Sequence, residues 1–348
     1  MIYEKAWSLP VFTAGENGYT FFRIPTVITL PGGRVLAFAE GRRDSLSDSG
    51  VIDIVVRISE DGGRSFGPIR VVVNGVSGTA GNQCPVYDEE TGKLLLLFNR
   101  NNADGPEHLI LQGKAPRTVH ITESSDLGET WTEEREITDQ TKKPLWTWHA
   151  MGPCHAVRMP SGRIVVPCNH AVLNEEEGKS GPYRSHTLYS DDHGANWQIG
   201  EDIHENTNEC ALALRKDGSL LINMRTFGDL KGCRALAVSE NGGERFGQFR
   251  LEKNLPDPCC QGSILTVEKD GEEIILCSNS ASQTDRVNMS IHESKDGGVT
   301  WEEGCLVCGR CTAYSDLTAP GAGQIGILYE MGEEMPYEKI EWTVYNLK

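Results

Sequence analysis

Long apolar runs are missing from this sequence, and positive charge is scarce. The longest apolar runs, such as Leu94–Phe98, have five residues, whereas a membrane helix needs about 20, so we expect no membrane span. The 33 lysines and arginines are outnumbered by 50 aspartates and glutamates, which gives a net charge of -17. Because a surface of that sign repels a phosphate backbone, we expect no nucleic-acid partner.

A secretory leader is not visible in the sequence. Residues Met1–Lys5 do not form a basic segment, and no apolar stretch follows them. The 11 cysteines are odd in number and show no regular spacing, which favours a reduced chain without a disulfide framework. The sequence therefore predicts a cytoplasmic protein, or a secreted one if a leader has been removed.

One run of cysteines has a spacing that metal sites use. Cys305, Cys308 and Cys311 form a C-x-x-C-x-x-C pattern, which suggests either a zinc or iron–sulfur site or simple packing in or beside a strand. No fourth ligand with suitable spacing lies nearby, and the nine histidines show no H-x-x-x-H spacing. We therefore predict no metal and no cofactor.

A pattern of two apolar strands joined by a polar turn with glycine occurs six times. The copies are Val27–Phe38, Pro85–Phe98, Ala156–Pro167, Leu212–Met224, Ile264–Cys277 and Leu317–Tyr329. Their turn glycines follow one another at intervals of 52 to 70 residues, a period typical of propeller blades. The sequence therefore predicts an all-β fold: a six-bladed β-propeller with four-stranded antiparallel blades, formed as one domain by residues 1–348.

A second pattern, Ser-x-Asp-x-Gly-x-x-aromatic, follows five of the six hairpins. The copies are Ser59–Phe66, Ser124–Trp131, Ser190–Trp197, Ser239–Phe246 and Ser294–Trp301, with Asn241 replacing the aspartate in one of them. Such an Asp box builds a tight turn, so we expect a structural role on the face opposite any site. The C-terminal segment Glu341–Asn346 is expected to form a strand that helps the N-terminal segment to close the ring.

Charged residues and one tyrosine lie where the hairpins begin and end. They are Arg23, Arg42, Glu209, Arg225, Arg286, Tyr314 and Glu330. Since both ends of an antiparallel hairpin lie at the same edge, these side chains should converge at one end of the propeller axis. Any single arginine could also be a solvated surface group, but several at equivalent positions would repel one another without carboxylates and an anionic ligand.

Several motifs carry a family resemblance. Phe22–Pro25 reads FRIP, and Ala39–Arg42, which reads AEGR, follows within one hairpin. These two motifs resemble the opening of exo-α-sialidases (neuraminidases) of the bacterial and animal type, and the five Asp boxes resemble the Asp-box repeats of that family. Asn208–Cys210, Asp285–Met289 and Ala313–Leu317 also match that family.

The resemblance implies how a substrate would be held. Arg23, Arg225 and Arg286 resemble the arginine triad that binds the substrate carboxylate. Glu330 looks like the residue that orients Arg23, and Arg42 resembles the family's fourth arginine near the sugar. The substrates implied are sialylated oligosaccharides, glycoproteins or glycolipids.

The resemblance also implies the catalytic groups. Tyr314 looks like the nucleophile and Glu209 like its base. The acid/base aspartate of the family lies in the loop after the first hairpin, where Asp48 and Asp44 are both candidates and the distance to the next strand favours Asp48. Asp53, in that next strand, is expected to be structural.

These residue types suit the chemistry of sialic acid, which bears a carboxylate on its anomeric carbon. Guanidinium groups pair with a carboxylate through parallel N–H donors. An anionic nucleophile would be repelled by that carboxylate, whereas a phenol is neutral until a base removes its proton. The resemblance therefore implies hydrolysis with retention through a tyrosine, an exception to the usual carboxylate nucleophile.

Other interpretations stay open. A trans-sialidase, or a hydrolase of deaminated sialic acid, would share every catalytic residue, whereas a non-catalytic Asp-box propeller would lose the Arg, Tyr and Glu set that this chain keeps. Several side chains near the second and third hairpins could contact sugar or pack at the rim. They are Trp146, Trp148, His149, His155, His170 and Asn99–Asn102.

Overall fold

β-Strands make up most of the computed structural model, which describes residues 2–76 and 78–348. In chain order they begin with β1 (Tyr3–Thr13), β2 (Phe21–Leu30), β3 (Arg34–Arg42), β4 (Ile52–Ser59), β5 (Arg70–Val73), β6 (Thr79–Asp88), β7 (Lys93–Asn101), β8 (Arg117–Ser124) and β9 (Arg135–Glu136). They continue with β10 (Trp146–Met151), β11 (Val157–Arg158), β12 (Ile164–Asn174), β13 (Lys179–Ser180), β14 (Arg184–Ser190), β15 (Gln198–Ile199), β16 (Thr207–Leu214) and β17 (Leu220–Thr226). The last are β18 (Gly232–Ser239), β19 (Gly247–Asp257), β20 (Ser263–Lys269), β21 (Glu272–Ser280), β22 (Val287–Ser294), β23 (Glu302–Thr318), β24 (Gln324–Gly332) and β25 (Lys339–Leu347).

Helices are few and short. The α-helices are α1 (Glu107–Leu111) and α2 (Thr138–Thr141), and 3-10 turns occupy Glu16–Gly18, Pro31–Gly33 and Gly228–Leu230. Within the described ranges, no helix has the length and apolar character needed to cross a membrane.

The strands of the described residues pair into four sheets. The first contains β2-β3-β4, with β5 on β4, and continues through a single parallel bridge between Ile52 and Thr79 into β6-β7-β8-β9. The second has the order β10-β12-β14-β15, with β11 and β13 on β12, and the third is β16-β17-β18-β19. The fourth is β1-β25-β24-β23-β22-β21-β20. Apart from the bridge, neighbouring strands pair antiparallel, so the predicted all-β, antiparallel character is confirmed.

The Asp boxes form tight turns, as their sequence predicts. In the first box, Ser59 Oγ accepts a 2.8 Å hydrogen bond from Gly63 N, and Asp61 Oδ1 accepts a 2.9 Å bond from Ser65 N. The other boxes repeat the serine–glycine bond. Gly63 has φ = +83°, a left-handed conformation that a side chain disfavours. The box residues thus bind mainly one another, which explains their fixed spacing.

The boxes also pack against a strand of another group. A Cβ atom on Gly128 would lie 2.4 Å from Leu36 of β3, and one on Gly63 would lie 2.3 Å from Trp342 of β25. The box residue Trp197 is buried in a cluster that joins strands β6 to β8 with strands β12 and β14. The hydrophobic core therefore consists of successive clusters between neighbouring groups of strands.

The two ends of the described chain pair with each other. β1 lies antiparallel to β25, with partners from Tyr3 and Leu347 to Thr13 and Lys339. The predicted C-terminal strand is therefore present and joins the N-terminal segment.

The third hairpin differs from its predicted form. The sequence predicts a first strand that begins at Ala156, but β11 has only two residues. On the side of β12 away from β14, five residue pairs are with β10 and two are with β11. Pro153 lies between β10 and β11 and has no N–H group to donate to a neighbouring strand. The first strand of this unit is therefore split in two.

Candidate active site

A cleft of about 360 Å³ opens where the ends of β2, β3, β16 and β17 meet the interior of the long strand β23. Seven of the predicted site residues line it, namely Arg23, Arg42, Asp48, Glu209, Arg225, Arg286 and Tyr314. The eighth, Glu330 of β24, lies fully buried behind the wall. No Asp-box residue is among the described residues that line the cleft. Its volume is typical of a small-molecule site.

The centre of the cleft is a tyrosine bonded to a carboxylate. The Tyr314 hydroxyl donates a 2.5 Å hydrogen bond to Glu209 Oε1. Arg225 Nη1 lies 2.5 Å from Glu209 Oε2 and 3.2 Å from Tyr314 Oη. Burial and the Glu209 charge raise the pKa of Tyr314 well above its usual value, although the neighbouring guanidinium groups oppose that rise. The phenol is therefore neutral, and its proton already faces an acceptor.

Glu330 connects the first arginine to the tyrosine backbone. Its Oε1 accepts hydrogen bonds from Arg23 Nε at 3.0 Å and Ile24 N at 2.9 Å. Its Oε2 accepts from Arg23 Nη2 at 3.2 Å and Tyr314 N at 3.0 Å. Burial disfavours a charge here, but Glu330 raises the pKa of Arg23 well above its usual value. One buried carboxylate thus fixes both a guanidinium group and the backbone of Tyr314.

Arg286 differs from the other arginines in its partners. Its Nη1 donates a 3.0 Å bond to the Tyr337 hydroxyl, and its guanidinium lies 5.7 Å from the centre of the Tyr314 ring. In the part of the chain that the structure describes, no carboxylate lies within ion-pair distance of Arg286. The Arg23 guanidinium also contacts Tyr337, 4.2 Å from the centre of its ring. An uncompensated guanidinium group in a cleft favours an anionic ligand.

A second charged group, around Arg42, also lines the cleft, and its Asp48 lies 3.9 Å from Arg23 Nη1. Arg42 Nη2 donates a 2.6 Å bond to Glu40 Oε2 and lies 2.7 Å from Asp48 Oδ1. Arg42 Nη1 also donates to the Leu46 carbonyl at 2.6 Å, which ties down the loop that carries Asp48. Asp48 itself is 65% exposed. Partial desolvation would raise the pKa of Asp48, but the charges of Arg42 and Arg23 outweigh it and lower that pKa.

The structure separates the other two aspartates from the cleft. Asp44 is exposed and does not line the cleft. Asp53 is fully buried, where it accepts hydrogen bonds from the Tyr19 hydroxyl, Arg43 Nη2 and Gly75 N, each at 2.6 Å. Asp53 therefore holds loops together, as expected, and Asp48 is the aspartate of this loop that faces the cleft.

The sequence did not single out Arg117, a further arginine in the cleft wall. It donates to the His149 carbonyl at 2.7 Å and to the side-chain oxygens of Asn101 at 2.8 Å and Asn82 at 2.7 Å. Burial lowers the pKa of Arg117 to about 10. Its position as the first residue of β8, at the same end as the hairpin exits, was the signal that could have identified it. Tyr183 also lines the cleft, from a loop that has no repeat counterpart.

The structure places only some of the open candidates around the second and third hairpins in the cleft. Trp148 lines the cleft, with the Arg117 guanidinium 4.2 Å from its ring centre. His155 instead pairs with Asp316, its Nδ1 lying 2.8 Å from Oδ1. The remaining candidates are not among the described residues that line the cleft; they are Trp146, His149, His170 and Asn99–Asn102.

The cysteine run lies along one strand. Cys305, Cys308 and Cys311 are free thiols of β23 opposite β22. Among the described residues, none of the three belongs to a group of three potential metal ligands. Their placement agrees with the packing interpretation.

Comparison with known proteins extends these observations. Residues 33–327 match a family described as "BNR repeat-like domain". The chain is 30% identical over 362 residues to an exo-alpha-sialidase of Aspergillus fumigatus, covering 95% of this chain and 85% of that protein. It is also 30% identical over 346 residues to a sialidase of Micromonospora viridifaciens, with 93% of this chain covered. In that case the chain spans about half, 52%, of the relative's length.

A solved structure also resembles the fold. The Hadza microbial sialidase Hz136 superposes with a TM-score of 0.87 at 25% identity, covering 97% of this chain and 68% of that one. The similarity therefore extends over nearly all strands described above.

Proposed function

The chain belongs to the sialidase family, and on that premise we propose that it is an exo-α-sialidase, a glycoside hydrolase that removes terminal sialic acid from sialylated glycoconjugates. The observation that carries this proposal is the Tyr314 hydroxyl, 2.5 Å from Glu209, between the guanidinium groups of Arg23, Arg225 and Arg286. A sugar that carries a carboxylate on its reacting carbon is the substrate that suits a neutral nucleophile among fixed positive charges.

We also propose that residues 1–348 form one six-bladed β-propeller. Six successive groups of four strands run from β2–β5 to the last group, which is the second half of β23 with β24, β25 and β1. Their first strands touch in cyclic order: β2 with β6, β6 with β11, β11 with β16, β16 with β20, β20 with β23, and β23 with β2. Gly63 of the first group packs on Trp342 of the last, which supports closure of the ring.

In the proposed complex, the substrate carboxylate binds Arg23, Arg225 and Arg286. The three groups approach from β2, β17 and the loop before β22, so together they fix the position and the orientation of the sugar. Arg42 binds nearer the ring substituents, on the side of Asp48. Because guanidinium groups stay charged at any relevant pH, this part of binding does not depend on pH.

The proposed reaction has two steps. In the first, Tyr314 Oη forms a bond to the anomeric carbon, its proton passes to Glu209 Oε1, and the glycosidic bond breaks as Asp48 protonates the leaving oxygen. In the second, Asp48 accepts a proton from water, and that water displaces the tyrosine, which recovers its proton from Glu209. Two inversions give net retention.

The acid role of Asp48 requires a proton that the free site disfavours. Arg42 and Arg23 lower the pKa of Asp48. A bound substrate carboxylate offsets part of that positive charge and displaces water from an exposed group. Both effects raise the pKa of a carboxylic acid, so substrate binding itself prepares Asp48 to donate.

The test is release of the aglycone from a synthetic aryl α-sialoside, with the first sialic acid anomer identified by NMR. We expect the α-anomer, and we expect Tyr314→Phe to lower kcat by several orders of magnitude, because it removes the nucleophile. Tyr329→Phe, a buried tyrosine of β24 away from the cleft, is the matched control. An initial β-anomer, or full activity of Tyr314→Phe, would contradict the mechanism; products formed mainly by transfer to added lactose would make the protein a trans-sialidase.

A further inference from the structure

A second polar cluster lies behind one wall of the cleft. Ala150 and Asn169 line the cleft, and their chain neighbours His149 and Cys168 project from the other face of the same sheet. The strand register places His149 opposite His170, Cys168 opposite His186, and Met151 opposite Cys168. These five residues, His149, Met151, Cys168, His170 and His186, form what we term the histidine–thiol cluster.

The cluster brings three potential metal ligands together. One ring nitrogen each of His149 and His186 and the Sγ atom of Cys168 lie within 4.8 Å of one another. All three side chains are fully buried. Ligands bound to one metal at about 2.0–2.3 Å are roughly 3.5–4 Å apart, so a small inward movement would complete a site. Met151 Sδ, 3.6 Å from Cys168 Sγ, offers a weak fourth ligand.

The histidines of this cluster have nitrogens without partners. Among the described residues, neither ring nitrogen of His149 has a hydrogen-bond partner, and Nε2 of His186 has none. Leaving a buried polar atom unsatisfied costs about 1–3 kcal/mol. An unsatisfied buried nitrogen is free to bind a ligand, and in this cluster His149 and His186 also each place a ring nitrogen within 4.8 Å of the Cys168 Sγ atom.

One hydrogen bond and one carboxylate nearby prepare His186 as a ligand. His170 Nδ1 lies 3.0 Å from His186 Nδ1, and His170 Nε2, which has no hydrogen-bond partner among the described residues, lies 3.5 Å from Asp202 Oδ1. When the Nε2 proton of His170 faces that carboxylate, His170 Nδ1 is an acceptor and His186 Nδ1 must donate to it. His186 Nε2 then keeps its lone pair. Trp146 stacks on His170 with 3.6 Å between ring centres and fixes its plane. Partners of this kind orient metal-bound histidines in proteins.

The surrounding charges decide which ion fits. Lys142 Nζ donates hydrogen bonds to the Arg117 and Thr147 carbonyls beside the strand that carries His149. Lys143 Nζ lies 5.1 Å from the ring centre of Trp146, which stacks on His170. The cluster therefore lies near cationic side chains. Replacing the thiol proton by a monovalent ion adds no charge, whereas a divalent ion adds one unit where positive charge is already unfavourable.

We propose that His149, Cys168 and His186 bind one copper(I) ion, with Met151 as a weak additional ligand. The Cys168 S–H bond breaks, its proton leaves to solvent and an S–Cu bond forms, with no change in oxidation state. Thiolate and thioether ligands select Cu(I), and two imidazoles with one thiolate form a familiar trigonal copper set. The site is distinct from the proposed reaction, which requires no metal.

The test measures copper retained by protein expressed with added copper and kept anaerobic. Partly exposed thiols are first alkylated with iodoacetamide, which leaves the buried ones intact; the partly exposed ones are Cys259, Cys305, Cys308 and Cys311. The protein is then equilibrated with the Cu(I) chelator bicinchoninate. We expect one copper equivalent to survive in the wild-type protein and X-ray absorption to show two nitrogen ligands and one short sulfur ligand.

Variants test whether the retained copper is bound by the cluster or by other buried cysteines and histidines. Cys168→Ala and His186→Gln should lose the retained equivalent, and His170→Gln should weaken binding about 10–100-fold. The matched controls are Cys277→Ala and His292→Gln, because each residue is buried in another part of the fold and His292 also has two unpartnered nitrogens. Those controls should keep the copper.

Three outcomes would overturn the assignment. They are copper that persists without Cys168 and His186, a wild-type protein that retains none, and a site that holds Zn²⁺ against a chelator while releasing Cu(I). The absorption spectrum of wild-type protein decides the ligand set even where a core variant fails to fold. If the cluster held only water, the wild-type protein would retain no copper, which is the second of these outcomes.

Discussion

Replacing Glu330 by glutamine tests how far one buried carboxylate supports the candidate site. The change keeps the size and shape of the side chain but removes its charge and one of its two acceptor oxygens. Each oxygen of Glu330 now accepts two hydrogen bonds, of 2.9–3.2 Å, from Arg23, Ile24 and Tyr314. Whichever way the amide is turned, its NH₂ group faces two donors.

The expected loss follows from those contacts. Two hydrogen bonds to a charged acceptor disappear, each worth about 1.5–3 kcal/mol, and Arg23 keeps a buried charge without its partner. Removing one member of a buried ion pair costs about 3–5 kcal/mol, so we expect the free energy of unfolding to fall by about that amount. Because the Tyr314 backbone loses an anchor as well, we expect kcat/KM on an aryl α-sialoside to fall about 100-fold.

Urea unfolding and initial-rate kinetics measure the two effects. Glu341→Gln is the matched control, since Glu341 is also buried but pairs with the partly exposed Lys339 and with Ser8. That variant should lose only about 1 kcal/mol and keep its activity. If Glu330→Gln were no less stable than Glu341→Gln, and equally active, Glu330 would not position the site.

Two further predictions concern pH. Arg42→Gln removes a positive charge beside Asp48 and so raises the pKa of Asp48 in the free protein. The alkaline limb of the pH profile, where kcat/KM falls with rising pH, should therefore move to higher pH. An unmoved limb would show that Arg42 does not control the pKa of the catalytic acid. Although burial opposes the charged form, Asp316 raises the pKa of His155 above its usual value. The His155–Asp316 pair contributes its full stabilisation below about pH 6.5, the pKa of histidine in the unfolded chain. This stabilisation is lost as the pH rises through the higher pKa that His155 has in the folded protein. The free energy of unfolding, measured in urea, should therefore decrease over this pH range in the wild-type protein, and His155→Gln should abolish the decrease. The other histidines with shifted pKa values cannot cause it, because their pKa values are lowered.

The repeated parts of the fold were predictable because every copy has the same requirements for its turn backbone and for the burial of its strands. A turn such as Gly62–Gly63 requires left-handed backbone, and its apolar flanks alternate between two buried faces. Breaks in the repeat were not predictable in this way. Pro153 splits one strand, and helix α1 is inserted between β7 and β8. Neither feature repeats, so no second copy in the sequence identifies it.

The same distinction applies to the candidate site: residues at repeated positions were easier to predict than residues outside the repeats. Residues at hairpin ends, such as Arg23 and Arg225, were expected to meet because antiparallel strands begin and end at one edge, and the structure does bring them together. Arg117 and Tyr183 lie outside the hairpins: the position of Arg117 at the start of β8 was its only signal, and Tyr183, in a loop without a repeat counterpart, gave none. The histidine–thiol cluster draws on three strands, and the wide spacing of His149, Cys168 and His186 along the chain resembles no metal motif. Only strand register brings those three together.

The pairing of Arg225 connects binding to chemistry in the proposed reaction. In the free protein its charge is directed at Glu209, 2.5 Å away, while Tyr314 Oη lies slightly farther, at 3.2 Å. When Glu209 accepts the phenol proton, it becomes neutral and Arg225 loses its anionic partner. The uncompensated guanidinium group is then free to stabilise the phenolate oxygen and the substrate carboxylate. An interaction that strengthens as the proton moves lowers the barrier more than it tightens substrate binding. Glu209 therefore acts twice in this mechanism, as the base and as the group that releases Arg225.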